Sequence, residues 1–300
     1  MIRLTHGLLF WTFILFACWN TCVYGFRYRH LSVQQGLANH VVYDIIQDSH
    51  GFMWIASEGG LDRYDGYSFK NFSHDQNQPQ GLISNHVSRI LESNYRGVRY
   101  LWLDTINGLF RLNIQTEKIE NFRRNPEDTT SISWNNIRAM ANGDGGTVWI
   151  GTSRGLNRYN YETKQFSHYL PNTNINEMYL DPDGILWLGT RGDGLIKFSP
   201  EDGVLAQYKH AADDPGSISS NFITRGMLDS EFFGNNFLWV SLGKKGFNLL
   251  DKKSGKFTRF APNPQTPEGA TCVHFETHLN GKHQLWIRSH PWGYHVMDLS

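Results

Sequence analysis

Six short apolar runs, each centred on a tryptophan, recur along the chain: Phe52-Met-Trp54-Ile-Ala, Tyr100-Leu-Trp102-Leu-Asp, Thr147-Val-Trp149-Ile-Gly, Ile185-Leu-Trp187-Leu-Gly, Phe237-Leu-Trp239-Val-Ser and Gln284-Leu-Trp286-Ile-Arg. Successive tryptophans lie 38 to 52 residues apart, the size of one repeated supersecondary unit. Before each Trp comes an apolar run introduced by polar residues, as in Asn39-His-Val-Val-Tyr, Asn85-His-Val-Ser-Arg, Asn136-Ile-Arg-Ala and Asn221-Phe-Ile-Thr. After it comes a run led by glycine, as in Gly60-Leu-Asp-Arg-Tyr64, Gly108-Leu-Phe-Arg-Leu112, Gly155-Leu-Asn-Arg-Tyr159, Gly194-Leu-Ile-Lys-Phe198 and Gly246-Phe-Asn-Leu-Leu250. A last apolar pair closes most units: Phe69 with Phe72, Ile119 with Phe122, Phe166 with Tyr169, Leu205 with Tyr208 and Phe257 with Phe260.

Each unit therefore predicts four short strands joined by tight turns. The turns Asp48-Ser-His-Gly51, Asn142-Gly-Asp-Gly145 and Asp181-Pro-Asp-Gly184 suit this, because Asp and Asn bond nearby backbone amides and Gly accepts positive φ. A lone four-stranded sheet with two apolar faces is marginal in water. Radial stacking buries both faces, so the pattern predicts an all-β fold, a β-propeller of four-stranded antiparallel blades with six repeats visible. The tryptophans are read as core.

The phase of the two ends bears on closure. Tyr28-Arg-His-Leu31 followed by Gly36 matches Phe69-Lys-Asn-Phe72 followed by Gly81, so the chain begins with an outermost strand that has no blade of its own. The sixth unit stops after Gly293-Tyr-His-Val-Met297 without such a strand. Pairing of residues 27–32 with the strand near Tyr294 would complete six blades and leave no sheet edge exposed. An incomplete seven-bladed ring is the open alternative.

Composition narrows the class. Aromatic residues at 14% and apolar residues at 40% supply a sizeable core. Basic and acidic residues balance at 28 each, without the like-charged blocks that bind nucleic acid. Residues 1–25 differ from the rest: Arg3 precedes the apolar run from Leu8 to Ala17, and no acidic residue occurs before Asp44. That is the profile of an export signal cut after Gly25, with lipidation at Cys18 and an uncleaved anchor from Gly7 to Phe26 as rivals. Residues 1–25 are thus a signal peptide or membrane anchor and 26–300 the propeller, on the far side of the membrane: periplasmic or extracytoplasmic, secreted or tethered to the inner membrane. Of Cys18, Cys22 and Cys272, only Cys272 lies in the mature segment, which excludes a disulfide framework.

Candidate chemistry is sparse. Among 13 histidines there is no His-Glu-x-x-His; His40 and His86 occupy equivalent turn positions, and His274 with His278 sits where a strand separates them. The Asp-rich turns lack the spaced ligands of a calcium loop. Neither a catalytic residue, a metal site nor a cofactor is expected. Asp44, Asp48, Glu58, Asp62 and Asp65 are carboxylates whose convergence cannot be read from sequence. A ligand site is expected at a mouth of the central channel, where loops from every blade meet. The weak ligand-binding candidates are Tyr95 and Arg96 in Ser93-Asn-Tyr-Arg-Gly-Val-Arg99, and Phe232 and Phe233 in Glu231-Phe-Phe-Gly-Asn-Asn236, because both segments extend the turn before Trp.

The chain resembles the extracytoplasmic sensor propellers of bacterial two-component regulators, the hybrid histidine kinases and diguanylate cyclase receptors. The resemblance covers about residues 26–300 and rests on the opening Phe26-Arg-Tyr-Arg through Asn39, on the run from Val41 to Gly66, and on its second copy from Val148 to Tyr159. It implies detection of a small molecule or oligosaccharide, in several members a glycan fragment, with the signal passed through a membrane helix to a cytoplasmic transmitter domain in a longer chain. It also implies rings of seven blades. The expected function is a non-catalytic ligand-sensing propeller, with a homodimer as a partner state. A protein-interaction scaffold and a polysaccharide lyase or glycoside hydrolase on the same fold are the alternatives.

Overall fold

The computed structural model describes residues 29–74, 81–82, 84–260, 270–290 and 293–300. Residues 1–25, expected to be a signal peptide or anchor, lie outside the described residues, and so does the expected cleavage site. Within them the chain forms a β-propeller of six antiparallel sheets. Blade 1 comprises β1 (Val42–Gln47), β2 (Met53–Ser57), β3 (Gly60–Tyr64) and β4 (Phe69–Phe72). Blade 2 comprises β5 (Val87–Tyr95), β6 (Val98–Thr105), β7 (Gly108–Asn113) and β8 (Ile119–Phe122). Blade 3 is β9 (Ile137–Gly143), β10 (Thr147–Thr152), β11 (Gly155–Asn160) and β12 (Gln165–Tyr169). Blade 4 is β13 (Ile175–Leu180), β14 (Leu186–Thr190), β15 (Leu195–Ser199) and β16 (Gly203–Tyr208). Blade 5 is β17 (Met227–Ser230), β18 (Gly234–Ser241), β19 (Phe247–Asp251) and β20 (Phe257–Phe260), and blade 6 is β21 (Ala270–Leu279), β22 (Lys282–His290) and β23 (Gly293–Asp298).

Packing follows the repeat. Trp54, Trp102, Trp149, Trp187 and Trp239 sit on the second strands of blades 1 to 5 and are buried. Each is held with residues of its own and an adjoining blade: Trp54 lies in the cluster with Val87, Leu101 and Phe110, Trp149 with Ile175, Leu186 and Phe198, and Trp239 with Val273, Leu285 and Ile287. Trp102 and Trp187 do the same towards blades 3 and 5. The indole is thus the wedge between sheets, and truncating one costs about 3 to 5 kcal/mol.

Five such clusters join six blades among the described residues, and none bridges blade 6 to blade 1. The register shows why this matters. Ile90, Met178 and Met227 each pair with the residue that follows the blade tryptophan and are at most 8% exposed against the preceding blade. Ile45 holds the same register in blade 1 and is 53% exposed.

Two expectations are corrected. Residues 29–32 form no strand and do not pair with β23, so blade 6 has three strands among the described residues; residues 27–28 lie outside them. Local bonds draw this segment to blade 1 instead. Ser32 caps a 3₁₀ turn over Val33–Gln35, Asn71 Nδ2 donates to the Gly36 carbonyl at 3.1 Å, the Ala38 amide donates to Asp62, and Arg29 donates to the Gly66 carbonyl. The stretch from Ser93 to Arg99 is not a wide loop either. β5 and β6 pair up to Tyr95 and Val98, leaving Arg96 and Gly97, both at positive φ, as a two-residue hairpin turn.

Candidate ligand site in the axial channel

The first strand of every blade faces the axis, and its first residues shape the channel. In blades 1 to 4 the pairing of this strand skips one residue near its start: Tyr43, Ser88, Arg138 and Asn176. Such a bulge bends the strand and re-aims its side chains. The skipped residues and those that follow them, Asp44, Arg89 and Glu177, line two cavities. The larger, about 340 Å³, is lined from all six blades and includes Tyr43, Asp44, Arg89, Glu177, Arg225, Cys272, His274 and Arg288. The smaller, about 200 Å³, adds Asp104, Asn136, Arg138 and Asn176. Arg89 and Arg225 border both, so the two cavities adjoin at these arginines.

Charge is concentrated there although the chain as a whole is neutral. Four guanidinium groups, from Arg89, Arg138, Arg225 and Arg288, face three carboxylates, from Asp44, Asp104 and Glu177. Arg89 approaches Glu177 at 3.7 Å and the Asn176 carbonyl at 3.4 Å, both long contacts. Asp44 turns one oxygen to the Ile90 amide at 2.9 Å, tying blade 1 to blade 2. Burial pushes the Asp104 carboxyl up to about 7 against the pull of Arg89, Arg225 and Arg138. Burial likewise raises Glu177, opposed by Arg89 and Arg225. The Arg225 guanidinium is driven down by burial and by Arg89. Asp104 is buried while Arg225 and Arg288 reach solvent, so charges of both signs converge here incompletely paired, as suits a binding site rather than a packed core.

The residues singled out from sequence lie elsewhere. Tyr95 stacks on Tyr161 of blade 3 with centroids 4.8 Å apart, and Arg96 pairs with Glu162 at 2.6 Å. Phe232 meets His283 of blade 6, and Phe233 lies against Phe237 and Trp239. The two pairs are at separate blade junctions and line neither cavity. Of the carboxylates, Asp44 reaches the channel, whereas Asp48 accepts the Trp54 indole N–H at 2.7 Å and Asp62 accepts from Asn71 and the Ala38 amide. His86 packs on Tyr43. Among the described residues no group of His, Cys, Asp and Glu is arranged to hold a metal ion.

Arg89, Asp104, Arg138, Glu177, Arg225 and Arg288 were not found by motif. A signal was present: Asp44, Arg89 and Glu177 each stand two residues after the first residue of their inner strand, Val42, Val87 and Ile175, and Arg225 stands two after Ile223 in the segment ahead of β17. A charge recurring at that phase has no reason to exist in a strand that only packs.

Known proteins agree with this architecture. A family model described as two component regulator propeller matches residues 36–59 and 169–192. The chain is 26% identical to the extracellular domain assigned to the hybrid two component system BT3049 of B. thetaiotaomicron, with a TM-score of 0.70 over 90% of this chain and 35% of that one. It is 21% identical to the extracellular domain assigned to the one component system BT4673 of the same organism, with a TM-score of 0.58 over 86% and 33% of the two chains. It therefore spans about a third of the length of these two structures. A streptogramin B lyase shares the fold, at 13% identity and a TM-score of 0.60 over 88% of this chain and 85% of that one. No curated protein matches the chain.

Proposed function

We propose that this chain, which carries two component regulator propeller repeats, is an extracytoplasmic ligand-sensing module of a transmembrane signal-transduction receptor. The observation that carries the reading is the axial space itself, where side chains from all six blades converge and charges remain incompletely paired. Its size falls at the low end of ligand pockets, suited to a small polar molecule such as a glycan fragment. Similarity to the extracellular domain assigned to a hybrid two component system supports the location and the signalling role. In this reading residues 1–25 direct export or anchor the chain, residues 26–300 bind the ligand, and the response is delivered by a transmitter domain on the cytoplasmic side. Because inner strands of six blades touch the ligand together, occupancy draws blades towards the axis and alters their mutual tilt, which supplies a differential contact for signalling.

A thermal-shift screen of the purified protein against mono- and oligosaccharides tests this reading. A ligand at a hundredfold excess over its Kd adds about 2.7 kcal/mol of stability, a rise of roughly 5 °C for a domain this large. No shift across a broad panel contradicts it. The lyase reading draws on Asp104, a carboxyl near neutrality beside arginines; it requires turnover of an acidic polysaccharide that Asp104→Asn abolishes, and sensing predicts no turnover by either form.

A further inference from the structure

The donor groups of the channel are unevenly spent, and that imbalance points to the chemistry of the ligand. Among the described residues the side chains of Arg138, Arg225 and Arg288 form no hydrogen bond or ion pair, and the Nε of Arg138 is buried without a partner. Arg89 makes only its two long contacts. Elsewhere Arg259 donates to Ser217 and to the Asp214 carbonyl and Arg111 pairs with Glu120 at 2.6 Å; the donors left over on Arg111 and Arg158 lie against aromatic rings, which the channel guanidiniums lack among the described residues. Four guanidiniums gather around the channel with few of their donors spent on protein acceptors, although like charges repel. A guanidinium fork is matched by a planar or tetrahedral oxyanion, which it holds through two parallel bonds. Asp44 and Glu177, which line the same cavity from different blades, accept hydrogen bonds and so suit hydroxyl groups.

We propose that the axial channel binds an acidic saccharide, its carboxylate or sulfate held by Arg89, Arg225 and Arg288 and its hydroxyls by Asp44 and Glu177. This rests on the sensing reading and names the ligand class of that site. A pH dependence follows. Asp104, on β6, is faced by Arg89 from β5, Arg138 from β9, Arg225 ahead of β17 and, across the channel, Glu177 from β13 and Asp44 from β1. Proton uptake by Asp104 below about pH 7 removes a negative charge from the space, so anion binding tightens as the pH falls from 8 to 6.

Isothermal titration of the purified protein at low salt tests the assignment with four probes: D-galacturonate, galactose 6-sulfate, D-galactose and sodium sulfate. The expected result is at least tenfold tighter binding of one acidic sugar than of galactose, weakened at least tenfold by Arg225→Gln and by 0.5 M NaCl. Whichever acidic sugar binds tells carboxylate from sulfate. Arg225 and Arg288 both reach solvent in the channel, so their loss leaves the core intact; Arg288→Gln serves if Arg225→Gln fails to fold, with the unchanged melting temperature as control. Equal affinity for galactose and the acidic sugars, or wild-type affinity in both variants, overturns the inference while leaving a neutral-sugar sensor standing. Sodium sulfate binding as tightly as the acidic sugars reduces the site to an adventitious ion only, and also overturns it. Absence of binding by any sugar here, together with a flat thermal-shift panel, overturns the sensing reading itself.

Discussion

Single residues show how one repeat solves the same problem several ways. A buried indole N–H needs an acceptor, and blades 1, 2, 4 and 5 supply different ones. The Asp turns supply it in blades 1 and 4, where Asp48 and Asp181 accept from Trp54 and Trp187 at 2.7 and 2.9 Å. Blade 2 has no such Asp, and Trp102 donates to Ser93 and to Tyr161 of the next blade. In blade 5 the acceptor is Glu276 of blade 6. Arg111 is the other buried charge of note. It is 3% exposed, enclosed by Tyr100, Trp102, Phe122, Tyr159 and Tyr161 at 4.6 to 5.6 Å, with Glu120 at one edge. Lysine keeps the charge but not the flat stacking surface, so Arg111→Lys should cost about 2 to 4 kcal/mol in urea unfolding, and an unchanged midpoint contradicts the cage.

Asp104 makes a prediction of opposite sign to an ordinary salt bridge. Its carboxyl titrates near 7 in the folded state against 3.8 as its ordinary value. The folded protein therefore holds the extra proton between these values. Its contribution to stability is fully present below about pH 4 and is lost as the pH rises to 7, by up to roughly 4 kcal/mol. Asp104→Asn should flatten that slope and stabilise the protein at pH 8; chemical unfolding at pH 5 and pH 8 measures both, and an unaltered slope contradicts the assignment.

At the scale of the element, strands and turns were legible because their patterns are local. Alternation, turn chemistry and the leading glycine placed most strands of blades 1 to 5 where the structure has them, but the inner strand of blade 5, expected at Asn221-Phe-Ile-Thr, begins only at Met227. Gly60 shows the physical requirement: its φ is 129°, and a Cβ there would press on the Phe72 carbonyl oxygen of the neighbouring strand. Gly97 also has positive φ, 82°, but open space around it. Gly60→Ala should destabilise by about 3 kcal/mol or more and Gly97→Ala by about 1 to 2; equal losses contradict close approach at the strand head. What sequence missed at this scale was pairing between distant segments. The phase of residues 27–32 permitted a strand on β23, yet Ser32, Gly36 and Ala38 are bonded within blade 1. The Ser93 to Arg99 hairpin looked like a loop because polar Ser93 and Asn94 conceal the ladder that Tyr95 and Val98 extend.

Across the whole molecule, the radial arrangement followed from repeat length and apolar phase, whereas the site did not. A channel wall is composed of a few residues from each blade, the blades being about fifty positions apart, and only the ring brings Asp44, Arg89, Glu177 and Arg225 together. Tyr95, Arg96, Phe232 and Phe233 stand out because large side chains in extended turns look exposed; Arg96 and Phe233 are exposed, but the four sit by two blade junctions and line neither cavity. The junctions are unequal, and this is testable within one protein. Ile90→Ala removes a buried side chain and should cost about 2 to 4 kcal/mol, while Ile45→Ala at the same register, half-exposed, should cost less than 1. Equal losses would mean that the outer face of blade 1 is covered in solution.

The decisive measurement is a crystal structure with the saccharide that gives the largest thermal shift. The account predicts that it lies on the axis within reach of Arg89 and Arg225, contacting the inner strands of several blades. A saccharide bound instead on the rim, beside Tyr95 or Phe232 and clear of the axis, would contradict it.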